Sequence, residues 1–163
     1  MGNLNKMDRV NKILSNEKYN NYLEKNCFYE KDREFCKHDM SHFLDMARIS
    51  YIICLEERIN VNKEIIYAVG LLHDIGRWLE YENKTPHNIA SYNLSEEILK
   101  ECDFLDNEIE IILDGILNHR NKQCSDLNKI FYKADKISRK CFSCKAKDKC
   151  YWGADKKNKG IIY

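Results

Sequence analysis

The sequence is short of turn formers, with one proline and six glycines in 163 residues. An all-β chain needs many turns, so this scarcity points to helices. No apolar run approaches the ~20 residues of a membrane span. The N-terminus, Met1-Gly2-Asn3-Leu4-Asn5-Lys6, has no apolar stretch behind it, so no secretory signal is expected. Lys6 stands where a myristoylation pattern needs Ser or Thr. A cytoplasmic location is therefore expected. Charge of one sign is also missing: the net charge is +1, which gives no global attraction for a polyanion or an acidic substrate. No internal repeat or interdomain linker stands out.

What is present fits a globular helical chain. Charged residues make up 33% and hydrophobic residues 44%. The length suffices for one domain with a sizeable core. Eight cysteines without an export signal are expected to be reduced thiols or metal ligands, not a disulfide framework. Residues 6–26 read as one or two polar helices, which Asn20-Asn21 could interrupt. Residues 27–38 read as irregular, with Cys27, Cys36 and His38. Ser41 is a plausible N-cap for a helix whose inward face carries His42, Met46, Ile49 and Ile53. Asn62 caps a helix from Lys63 to about Glu80. Thr85-Pro86 starts another that runs to about Cys102, with His87 at its second position. Asp106 caps a helix whose apolar face ends in His119. The last helix runs from about Ser125 to Arg139, with Asp135 among its packing residues.

The organising stretch is Ala68-Val69-Gly70-Leu71-Leu72-His73-Asp74-Ile75-Gly76-Arg77, an apolar run ending in two adjacent metal-binding side chains. Such residues are costly to bury without compensation, and a cation would compensate both. His42, His87, His119 and Asp135 also fall on inward faces or at helix ends. Each alone reads as an ordinary core or surface residue. A small core rarely takes in four imidazoles and two carboxylates without a shared reason, and bundles can bring such ligands together on metal ions.

The order His42, His73-Asp74, Asp135 resembles the HD-domain superfamily of metal-dependent phosphohydrolases. Phe131-Tyr132-Lys133-Ala134-Asp135-Lys136-Ile137 resembles the segment carrying that family's last aspartate. His87 and His119 match its subset with a second metal, and the spacing resembles HD-type diadenosine tetraphosphate hydrolases. The resemblance spans about residues 40–139. It implies an all-α HD-domain helical bundle over residues 1–139, followed by a cysteine-containing basic tail over 140–163. By that resemblance one ion takes His42, His73, Asp74 and Asp135, and a second takes His87 and His119, with Asp74 bridging. Imidazole-rich ligation suits Fe, Mn, Zn or Ni better than Mg. Two such ions could activate water and clamp the oxygens of an in-line displacement at phosphorus. Arg77, three residues after Asp74, is expected to hold a substrate phosphate, and Arg120, Lys136 and Arg139 are weaker candidates. The substrate class implied is a small phosphorylated molecule, a nucleotide or dinucleotide polyphosphate. Three alternatives share these residues: an HD-type di-iron oxygenase, a nucleotide-binding regulator with little turnover, and a module that recruits partners through its tail.

The tail carries Cys141-x2-Cys144-x5-Cys150. Cys-x2-Cys is half of a common zinc site, and Cys36 or Cys124 could complete it. Structural zinc, an iron–sulfur centre and free thiols are the readings. Cys27, Cys54 and Cys102 read as packing residues. The tail lysines read as a solvated face without aromatic interleaving, so no specific nucleic-acid partner is expected.

Overall fold

The computed structural model describes residues 6–163, and among these every regular element is helical. Helix α1 spans Asp8–Ser15 and buries Val10 and Ile13. Asn16 then adopts an extended backbone and its side chain accepts from the Tyr19 amide, starting α2 at Glu17–Tyr29. The expected interruption at Asn20-Asn21 is absent. The break lies at Asn16, where the Asn20 amide bridges the Leu14 and Asn16 carbonyls. The helix also runs three residues into the stretch expected to be irregular.

Helix α3 covers Met40–Glu56, and Asp39 rather than Ser41 is its cap, accepting from the His42 amide at 3.1 Å. Asn62 caps α4, Lys63–Leu72, as expected. The single helix expected to reach Glu80 is instead two, with α5 at Arg77–Asn83. The break has a tertiary cause. Continuing the helix would require the Trp78 amide to bond the Asp74 carbonyl. The buried side chain of Asn26 sits between them, donating to Asp74 O at 3.0 Å and accepting from Trp78 N at 2.8 Å.

Helix α6 covers His87–Glu101. Thr85 does not cap it: its hydroxyl donates to Asn83, and His87 takes the first helical position. Helix α7 covers Asp106–Asn118. It starts one residue earlier than expected, with Leu105 at the cap position and the Glu108 carboxylate accepting from the Leu105 amide at 3.0 Å. Ser125 caps α8, Asp126–Ile137, and accepts from the Asn128 amide. A 3-10 turn at Cys141–Ser143 leads into a tail of successive turns. Asn158 pins that tail by donating to Lys136 O and Arg139 O at 2.9 and 2.7 Å.

The core lies where α3, α4, α7 and α8 meet, around Phe43, Met46, Ile53, Leu72, Ile116 and Phe131. α3 and α4 approach so closely that a Cβ on Gly70 would lie 2.5 Å from that of Ala47. At the periphery Arg9 pairs with Glu64 and Glu108, fastening α1 to α4 and α7. No helix among the described residues is long and apolar enough to cross a membrane.

Candidate metal centre

Six side chains from five points in the chain converge at one end of this bundle. His42 comes from the first turn of α3, His73 and Asp74 from the end of α4, and His87 from the start of α6. His119 ends α7, and Asp135 projects from α8. All six are buried, with His73 fully so. Their donor atoms form two groups, each gathered within 4.8 Å: His42, His73, Asp74 and Asp135, and Asp74, His87 and His119.

Asp74 belongs to both groups and divides its oxygens between them. Oδ2 lies 3.2 Å from His73 Nε2 and 3.8 Å from His42 Nε2. Oδ1 lies 3.3 Å from His87 Nε2 and 3.6 Å from His119 Nε2. Asp135 Oδ1 closes the first group at 3.3 Å from His42 Nε2.

Each imidazole is oriented by an outer partner on its other nitrogen. His73 Nδ1 meets Gly70 O at 2.8 Å and His119 Nδ1 meets Ile116 O at 2.6 Å. His87 Nδ1 meets Glu80 Oε2 at 2.8 Å, and His42 Nδ1 meets Ser138 Oγ at 3.2 Å. Protons held at Nδ1 of His42, His73 and His119 leave their Nε2 lone pairs aimed inward, as in metal-ligating histidines, while His87 Nδ1 sits between Glu80 Oε2 and Arg77 Nη1, the latter 2.6 Å away. His42 and His73 then face each other Nε2 to Nε2 at 3.2 Å, a repulsive meeting of lone pairs that a shared cation would relieve. Asp74 Oδ1 is buried with no hydrogen-bond donor, another atom awaiting a positive partner. The residues therefore fit divalent cations.

Titration follows the same logic. Burial, with Arg139 nearby, pushes His42 down to about 3, and burial pushes His119 down to about 4. Burial also lowers His87, while His73 is raised because the carboxylates Asp74 and Asp135 outweigh its burial. Burial opposes ionisation of Asp74, but His73 and His38 outweigh it and hold the carboxyl well below its usual range. Asp135 is held low in the same way by His42, Arg139 and Lys136.

The sequence profile of the HD domain matches residues 40–140. The chain belongs to the HD-domain family. An uncharacterized protein of Clostridium beijerinckii is 53% identical over 157 residues, covering 96% of this chain and all of that one. A ribonuclease Y of Mycoplasma mycoides is 32% identical over 101 residues, which is 61% of this chain but 22% of that protein. A second Mycoplasma mycoides ribonuclease Y is 33% identical over 101 residues, 18% of its length. The chain thus spans only about a fifth of the ribonucleases it resembles. No solved structure matches.

In this HD protein the fifth histidine joins the other four, which the sequence reading did not expect. His38 is buried, with Nδ1 2.5 Å from Glu30 Oε1 and Nε2 3.7 Å from Asp74 Oδ2. Glu30 is itself buried at the end of α2 and also accepts from the His38 amide and the Tyr81 hydroxyl. The spacing His38-x3-His42 was the available signal, masked by a charged stretch with no helical periodicity.

A cleft of about 130 Å3 opens above the HD pair, His73-Asp74. Arg33, Arg77, Arg120, Lys136 and Arg139 line it together with Phe35, Tyr151 and Trp152. Arg77 reaches this cleft by a different route from the one expected. Asp74 to Arg77 is a turn between two helices, not one helical face. Arg77 Nη1 donates to Glu80 Oε2 at 2.8 Å, beside His87. Its Nε is buried without a hydrogen bond, 3.9 Å from Glu30 Oε1. Cys141, Cys144 and Cys150 line a separate small cavity with Cys36, whereas Cys124 does not.

Proposed function

We propose that this HD protein is a metal-dependent phosphohydrolase acting on a phosphate ester or anhydride of a nucleotide. The observation that carries the reading is Asp74, whose two oxygens face separate donor groups beneath a cleft rimmed by cations. His42, His73, Asp74 and Asp135 would hold one ion, and Asp74, His87 and His119 a second. Bound there, such ions supply Lewis acidity, acidifying water and neutralising phosphate charge.

The chain's own groups do the rest. Arg77 offers a phosphoryl oxygen a buried Nε–H that makes no hydrogen bond within the protein, and the other cleft cations add positive charge around the same space. His38 has its Nδ1 fixed by Glu30, so its Nε2 is set to pass a proton at the cleft floor. Phe35, Tyr151 and Trp152 give a planar base an apolar surface in the same cleft. A dinucleoside polyphosphate fits this division into phosphates and bases, a preference that rests on the ligand spacing. The likeness to ribonuclease Y favours a second reading, a phosphodiester at the end of a short RNA.

A panel of dinucleoside polyphosphates, mononucleotides and short oligoribonucleotides, assayed with Mn, Fe, Zn or Ni, tests both. Asp74→Asn should lower turnover at least about 100-fold, since losing only the groups that orient metal ligands already costs up to about that much, and should lower bound metal. A variant keeping full turnover would sink the proposal. Oxygen uptake by anaerobically loaded protein, without phosphate release, would move it to an oxygenase.

A further inference from the structure

We infer that Cys36, Cys141, Cys144 and Cys150 form a structural zinc site that fixes the tail as one wall of the cleft. The inference does not depend on the hydrolase reading. Four thiols from two distant segments line one cavity of about 20 Å3. That volume is close to what one water-sized sphere needs, so it suits a single ion and not a four-iron cluster.

Local structure favours ligation. The 3-10 turn at Cys141–Ser143 brings the Cys144 amide onto the Cys141 carbonyl at 3.2 Å, the tight turn that lets a Cys-x2-Cys pair share one ion. The four sulfurs are not drawn together as closely as the His/Asp donors, which alone meet the 4.8 Å spacing among the described residues. Three of the four are only partly buried, so their side chains have room to close on an ion. Cys124 is the wrong candidate. It precedes α8 while Cys141 follows it, and twelve helical residues separate their ends by about 18 Å. Its thiol instead donates to Asn121 O.

Binding is balanced as Zn2+ plus four thiols giving a tetrathiolate of charge −2, with four protons released to solvent. Lys147 and Lys157 line the same cavity and offset that charge. Cys36, Cys141 and Cys150 also line the cleft, and Tyr151-Trp152 directly follow the last thiolate. Loading therefore sets where these aromatic side chains stand.

The test uses full-length protein purified without chelator, then exchanged with cobalt(II). A thiolate site gives sulfur-to-cobalt charge-transfer bands that the His/Asp centre cannot. Cys36→Ser and Cys144→Ser should abolish the bands and lose one equivalent of zinc, while Cys124→Ser keeps both. Hydrogen exchange of Cys144→Ser should quicken around residues 33–39 and 140–158 and stay unchanged in α4 and α7. A mixture of wild type with a mercurial should release one zinc per chain, a readout that needs no variant to fold. The inference is overturned by absent thiolate bands, by bands that survive Cys36→Ser, by acid-labile sulfide in anaerobic protein, or by disulfides among these cysteines.

Discussion

Glu30 is the residue whose importance was hardest to foresee. Burial favours its neutral form, yet the His38 ring, the His38 amide and the Tyr81 hydroxyl overcome this and bring its carboxyl down to about 2. A depressed carboxyl stabilises the fold above its ordinary value near 4.5, and that stability is lost as pH falls toward about 2. The contribution is on the order of 2–3 kcal/mol. Chelator-treated wild type should therefore exceed Glu30→Gln in urea stability near neutral pH, with the gap narrowing below about pH 4.5 and closing only near pH 2. A gap unchanged over that range would show that Glu30 is not ionised by its setting. His38→Gln should cut turnover while leaving bound metal near wild type, separating proton transfer from ligation. The other four histidines were legible because each sits on an apolar face or at a helix end. The Glu30–His38 pair spans eight residues across a helix terminus, where no period marks it.

At the scale of elements, the turn between α4 and α5 aims the site. The apolar stripe continued past Leu72, so sequence periodicity ran the helix to Glu80. The interruption comes from Asn26, 48 positions from Asp74, and tertiary hydrogen bonds of that kind leave no local trace. Asn26→Ala should leave the Asp74 carbonyl and Trp78 amide without their side-chain partner, each worth about 1–3 kcal/mol if buried. Thermal unfolding should show the loss, and metal affinity should fall with it as Asp74 drifts. Gly76 closes the turn. Its amide donates to Ser91 Oγ at 2.9 Å, and an added Cβ would meet Ser91 N at 2.5 Å and the Ala90 carbonyl carbon at 2.7 Å. Backbone cannot yield as a flexible side chain can. Gly76→Ala should destabilise by about 1–3 kcal/mol, the range for overpacking, measurable by urea titration.

Across the whole molecule, the helical architecture and the gathering of six ligand candidates follow from capping residues and apolar faces, whereas the cleft does not. Its wall comes from a tail that reads as solvated lysines, because Tyr151 and Trp152 reveal their neighbours only once the chain folds back. If that wall recognises a base, Trp152→Ala should raise KM for nucleotides roughly ten-fold, in line with about 1–3 kcal/mol per stacked base. Small phosphate esters without a base should be hydrolysed as before. Equal losses on both substrates would assign Trp152 to folding alone. The divided carboxylate of Asp74 has one further effect. If ions fill both sides, each would withdraw negative charge that the other also draws on, and the two occupancies would be thermodynamically linked. Stepwise titration should then give unequal affinities, and scarce metal should leave a stable half-filled population instead of a mixture of full and empty molecules.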